Sequence, residues 1–189
     1  VLTLWAAIDR PDLFRFVVLV DPVLLPPHWL WFVRLLRRLG VGHRQPFVQA
    51  ALHRRRTWPS HQACFDHYRA KRLFARWPDE VLWDYVNSGT QPDGAGIALR
   101  YPPEWEAHIF ATVPVRVWGD VPHLAVPALI VRGEESNTFF PAAAARMSRL
   151  LPDAQQATVP GAGHLVLMEK PAEVAALVRN FAHSVDQTG

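Results

Sequence analysis

His164 is the residue of this chain best suited to acid–base chemistry. It lies in the run Val159-Pro160-Gly161-Ala162-Gly163-His164-Leu165-Val166-Leu167-Met168-Glu169-Lys170-Pro171. Two glycines permit backbone conformations closed to other residues, so an imidazole can be presented from a turn at the mouth of a sheet. With an unperturbed pKa of about 6.5, such a ring can take a proton and return it near neutrality. On composition alone a loop histidine is more often an ordinary surface residue, and the local sequence does not decide between the two readings.

Three other groupings have residue types that could do chemistry. His61, Cys64 and His67, at i, i+3 and i+6 with Asp66 adjacent, are transition-metal ligand types. Repeated spacings of three drift around a helix and no fourth ligand accompanies them, so a solvated helix face is the reading adopted and no metal is expected. Arg54-Arg55-Arg56 with Arg34, Arg37, Arg38 and Arg44 would attract an anionic substrate, a phosphate or an acidic membrane surface, but exposed helices account for them without a ligand. Trp29, Trp31, Phe32, Phe47, Phe65, Tyr68, Trp77, Trp83 and Tyr85 could line an apolar pocket, although most such rings must pack one layer onto another.

The elements that must position these residues fall into three stretches. Val1 to Ile8 reads as a helix stopped by Arg10-Pro11-Asp12, and Phe14 to Val20 as a strand covered on both faces and ended by Asp21-Pro22. From Val23 to His123 the texture changes, with seven of the eight tryptophans and helices expected over Trp29–Leu39, Gln45–Arg56, Ser60–Arg76 and Pro78–Ser88. Gln91 to Gly96 reads as a turn or loop, and Tyr101 to Glu106 as an ordered hinge. Sheet texture then returns: a strand over Pro127–Gly133, a helix over Pro141–Leu151, a strand over Gln156–Val159 and an amphipathic helix over Pro171–Val185. The simplest organisation is a parallel α/β core, residues 1–22 and 124–189, interrupted by a helical insertion of residues 23–123.

Composition narrows the function classes. Half of the 189 residues are hydrophobic and one fifth charged, a profile able to bury a real core. The formal net charge is only +3, with much of the basic excess between Arg34 and Arg56, which argues against a chain-wide nucleic-acid surface. A single cysteine, Cys64, excludes an internal disulfide, and a cytoplasmic location follows as the expectation. No apolar run approaches the roughly 20 residues needed to span a bilayer, so stable membrane insertion is not expected.

Gly161-Ala162-Gly163-His164, followed by Met168-Glu169-Lys170-Pro171 and a final helix, resembles the histidine segment of the α/β-hydrolase fold family. Ala6 to Asp12 leading to Leu19-Val20-Asp21-Pro22 is similar to the stretch after that family's nucleophile elbow, and Pro127 to Gly133 to the strand before its acid loop. The three motifs stand in family order over nearly the whole chain, with the insertion in the place of the family's cap. The resemblance implies a nucleophile–His–acid triad with His164 as base. It implies an α/β-hydrolase core lacking its N-terminal strands, a small-molecule substrate and water as reactants, and no cofactor.

The sequence departs from the family at two points. No G-x-S-x-G elbow occurs, and Ser60, Ser88, Ser136, Ser148 and Ser184 lack its flanking glycines, so the nucleophile is expected upstream of Val1 and the chain by itself is expected to be inactive. Where the family usually carries an aspartate, this chain has Ser136 and Asn137, and an amide at Asn137 accepts a hydrogen bond but carries no charge. Asp21, after the earlier strand, is the better acid candidate, with a turn-forming Asp-Pro as its structural alternative and Glu134 and Glu135 as fallbacks. The expectation is the C-terminal part of a hydrolase acting on a small to medium apolar ester. An epoxide hydrolase or dehalogenase with an aspartate nucleophile, and a non-catalytic binding protein of the same fold, remain open beside it.

Overall fold

The computed structural model describes residues 1–40 and 45–188. Ten α-helices occur among them: α1 (Leu2–Asp9), α2 (Pro27–Arg38), α3 (Pro46–Leu52), α4 (His61–Arg69), α5 (Asp79–Gly89), α6 (Pro103–Ala111), α7 (Val117–Asp120), α8 (Pro141–Leu150), α9 (Val166–Glu169) and α10 (Pro171–Thr188). Six strands accompany them: β1 (Val17–Val20), β2 (Thr57–Trp58), β3 (Thr90–Asp93), β4 (Gly96–Leu99), β5 (Ala128–Gly133) and β6 (Gln155–Val159). The chain divides into two compact units, Val1–Phe32 with Pro114–Gly189, and Val33–Val113. No helix among the described residues is long and apolar enough to cross a membrane.

The first unit is built on a parallel sheet in the order β1-β5-β6. Val17 to Val20 pair with Ala128 to Val131, and Leu129 to Gly133 pair with Gln155 to Val159. Side chains alternate across such strands, so each strand supplies two cores. Val17, Ala128 and Ile130 face Leu4 and Ala7 of α1, Trp118 of α7 and Met147 of α8. Leu129, Val131 and Val159 face Val166 of α9 and Val174 and Phe181 of α10. Near-continuous apolar strands are what burial on both faces requires. Two indole N–H groups of this unit find acceptors within it: Trp5 donates to Asp120 Oδ2 at 2.9 Å and Trp118 to the Leu25 carbonyl at 2.9 Å.

The second unit is not wholly helical. Its strands form an antiparallel sheet in the order β2-β4-β3, with Gln91 to Asp93 inside β3, where sequence reading expected only a loop. Thr90-Gln91-Pro92-Asp93 has strand-poor composition and is exposed after Thr90, so no apolar alternation marks it, and its proline is tolerated because β3 is an edge strand. Tyr101 to Glu106, expected as a hinge, instead runs into α6, which opens with Pro103 and carries Glu104 and Glu106 in its first turn. The helix expected to reach Arg76 ends at Arg69 and is followed by a short 3-10 turn over Arg72–Phe74, while Ser60 caps its start by accepting from the Ala63 N–H at 3.2 Å.

Aromatic packing holds this unit. Phe65 stacks on Trp83 with ring centroids 4.4 Å apart, and Tyr68, Phe74, Trp77 and Tyr85 contact one another at 4.8 to 5.6 Å. Trp58, Tyr68, Phe74 and Trp77 are buried, so these rings serve as core. Trp29, Trp31, Phe32 and Phe47 are exposed.

Candidate active site

Asp21 is the residue after β1, and its backbone is unusual. It is the one non-glycine residue with positive φ among those described, at 41°. That region is sparsely occupied by residues with a Cβ and persists only where the surroundings over-determine it. Here the Asp21 N–H donates to the Val131 carbonyl at 2.7 Å, continuing the β1–β5 ladder by one residue while the side chain turns across the end of the sheet. The side chain is about 1% exposed, so its charge must be met by donors.

Four donors meet it. The Gly133 N–H donates to Oδ2 at 2.8 Å, and Oδ1 accepts from Ser136 Oγ at 2.6 Å, from Thr138 Oγ1 at 3.0 Å and from the Nδ1 side of His164 at 2.9 Å. Ser136 is itself fixed, because its oxygen accepts from the Phe139 N–H at 3.1 Å. The carboxylate is thus held at the carboxyl ends of β1 and β5 with one edge toward the imidazole.

His164 comes to it from the loop after β6, which is anchored along its length. Gly161 takes φ 63°, and its N–H donates to Glu134 Oε2 at 3.0 Å. The Glu135 N–H donates to the Ala162 carbonyl at 2.9 Å, and the Gly163 N–H to Glu169 Oε2 at 2.9 Å. The histidine side chain is about one-third exposed, so one edge of the ring meets Asp21 while part of it remains open. A buried carboxylate orienting an accessible imidazole can fix the ring's tautomer and stabilise the imidazolium that forms when the ring accepts a proton.

The remaining sequence candidates lie elsewhere. Asn137 is exposed, and Nδ1 meets Asp21 and Thr138 rather than its amide. Glu134 braces the histidine loop, and Glu135 is exposed. Cys64 is buried with its thiol pushed up to about 11 by burial, and His61 is exposed. The His67 imidazole is held below its usual value by burial and by Lys71 and Arg55, cations that would equally oppose a bound metal. Among the described residues no group of three or more His, Cys, Asp and Glu could hold a metal ion. Arg54 pairs with Glu106 at 2.9 Å, Arg56 with Glu104 at 2.5 Å, and Arg55 lies over the Trp58 ring. Arg44 and the side chain of Arg37 lie outside the described residues.

Sequence reasoning missed Thr138 and saw in Ser136 only a rejected nucleophile and an uncharged residue where the family usually carries its acid. The available signal was a pair of hydroxyl residues in the turn directly after a buried strand, beside the end of Asp21's own strand.

The fold has its counterpart among known proteins. The chain belongs to the alpha/beta hydrolase family, whose model matches residues 1–177. Solved structures agree on the fold. E-2-(acetamidomethylene)succinate hydrolase is similar at 24% identity and a TM-score of 0.71, with 96% of this chain and 62% of that one covered. A peroxisomal alpha-beta-hydrolase of Saccharomyces cerevisiae gives 14% identity and a TM-score of 0.73, with 98% and 50% covered. An M. tuberculosis esterase gives 24% identity and a TM-score of 0.67, with 96% and 59% covered. The chain therefore spans between half and about three-fifths of the length of these structures.

Proposed function

We propose that this chain supplies the general base and the acid of a hydrolase, with His164 as base and Asp21 as acid. The observation that carries the reading is the 2.9 Å approach of His164 Nδ1 to the buried Asp21 Oδ1, from a residue held at positive φ. His164 takes the proton of a nucleophile as it attacks an ester-like carbonyl, then returns it to the leaving group. Water, activated by the same ring, releases the acyl group. Asp21 keeps the ring's tautomer and balances its charge.

The nucleophile is not among these 189 residues on this reading, because none of the serines stands in a G-x-S-x-G frame. Residues 23–123 stand in the chain where the family carries its cap, and on this reading the substrate is a small to medium hydrophobic ester. No cofactor is required, and the protein works in the cytoplasm. That the solved neighbours include an esterase and a hydrolase is in keeping with carbonyl hydrolysis.

The test is turnover of a series of p-nitrophenyl acyl esters by the protein as encoded, with whatever precedes Val1. His164→Ala should abolish nearly all turnover while leaving the melting temperature close to wild type. Retained turnover would reject the role given to His164.

A further inference from the structure

Thr138 is not needed to bring His164 to Asp21, since Nδ1 and Oδ1 already lie 2.9 Å apart. Yet its hydroxyl stands against both, 2.7 Å from Nδ1 and 3.0 Å from Oδ1. A count of protons fixes the directions. A carboxylate oxygen only accepts, so the one hydroxyl proton of Thr138 goes to Asp21. The same oxygen then meets Nδ1 as an acceptor, which places the neutral ring's proton on Nδ1 and leaves Nε2 with its lone pair. The opposite arrangement, with the hydroxyl donating to a bare Nδ1, would set a nitrogen lone pair against an anionic oxygen at 2.9 Å.

We propose that Thr138 is a positioning residue that accepts the Nδ1 proton of His164 beside Asp21 and so helps to hold the imidazolium that forms when the ring takes a second proton. Its catalytic consequence rests on His164 and Asp21 being base and acid. The device is a shared acceptor. Oδ1 is already met by Ser136 and Thr138 and Oδ2 by the Gly133 N–H, so the carboxylate's charge is divided among several donors, and the Thr138 oxygen, turned toward the ring while its proton goes to Asp21, gives Nδ1 a second acceptor. Without the Thr138 hydroxyl, the Nδ1 proton keeps Asp21 alone. The imidazolium is then held less strongly, and the ring protonates at a lower pH.

Other charged groups around the pair are already engaged. Glu134 and Glu169 accept from the Gly161 and Gly163 N–H groups. Arg132 donates to the carbonyls of Phe139 and Glu134. Lys170 faces Glu173 at 3.7 Å, and Glu135 is exposed. A substitution at Thr138 touches none of their side-chain bonds.

Thr138→Val removes the hydroxyl and keeps the shape, while Thr138→Ser keeps the hydroxyl. The experiment is a nitrogen-15 NMR titration of the His164 ring in the protein as encoded, beside the pH profile of kcat/KM. The Val variant should lower the ring's midpoint by about one unit and move the acidic limb of the profile down by the same amount, because the base must be unprotonated to act, and a raised midpoint would overturn the proposal. The Ser variant should titrate like wild type. An unchanged midpoint in the Val variant, or an equal shift in the Ser variant, overturns the proposal. Thr138→Ala gives the same readout should the Val variant fail to fold. The titration reads the ring whether or not turnover depends on it. A shifted midpoint beside turnover that survives His164→Ala would therefore reject the hydrolase reading alone, and an unshifted midpoint beside turnover abolished by His164→Ala would reject the role of Thr138 alone.

Discussion

Gly133 should be the position at which the smallest substitution does the most damage. It closes β5, and its N–H holds Asp21 Oδ2. A Cβ added there would lie 2.1 Å from the Gly163 carbonyl oxygen, 2.6 Å from that of Ala162 and 2.9 Å from the Gly163 carbonyl carbon. Those are backbone atoms of the loop that carries His164, so no flexible side chain can yield in their place. Relieving the closest contact displaces the loop by roughly 1 Å, an error in reacting geometry that costs about 100-fold in rate. The same overpacking should destabilise the fold by about 1–3 kcal/mol, which lowers the melting temperature by about 2–12 °C in a domain of this size. Circular dichroism melts and ester turnover of Gly133→Ala measure the two effects. A variant with both wild-type melting and wild-type turnover would show that the close approach of β5 to the histidine loop has been misjudged.

Three further outcomes follow from the structure. Ser136→Ala removes the 2.6 Å bond to Asp21 and leaves the buried Phe139 N–H without its acceptor, so denaturant titration should find it less stable by about 2 kcal/mol. Cys64, buried with its thiol pushed up to about 11, should resist a thiol reagent at pH 8 until the protein is unfolded. As pH rises from the ordinary thiol value of 9.0 toward 11, the unfolded chain releases this proton and the folded one does not, so stability falls through that window and Cys64→Ala should remove the increment. Arg56→Ala breaks an exposed pair with Glu104 and should change stability by less than about 1 kcal/mol in a chemical melt.

How much was legible in the sequence depended on the range of the interaction. The strands of the parallel sheet are marked by dense β-branched runs and by their punctuation at Asp21-Pro22 and Gly133, and His164 and Asp21 became candidates through the family resemblance that those segments carry. Thr138 was not, because its contacts join positions 117 and 26 residues away and exist only once β1, β5 and β6 lie side by side. β3 escaped because an edge strand exposed after its first residue has no apolar alternation to betray it. α6 escaped because Tyr101-Pro102-Pro103 reads as a break, although a proline at the first helical position begins a helix as readily as one further along ends it.

The most direct measurement is a double-mutant cycle on ester turnover in the protein as encoded, with His164→Ala, Asp21→Asn and the two combined. If carboxylate and imidazole act as one unit, each single change costs at least about a thousandfold and the double variant is no slower than His164→Ala alone. If the two losses multiply, or if Asp21→Asn leaves the rate intact, Asp21 does not serve His164 and the pairing at the end of the sheet is structural only.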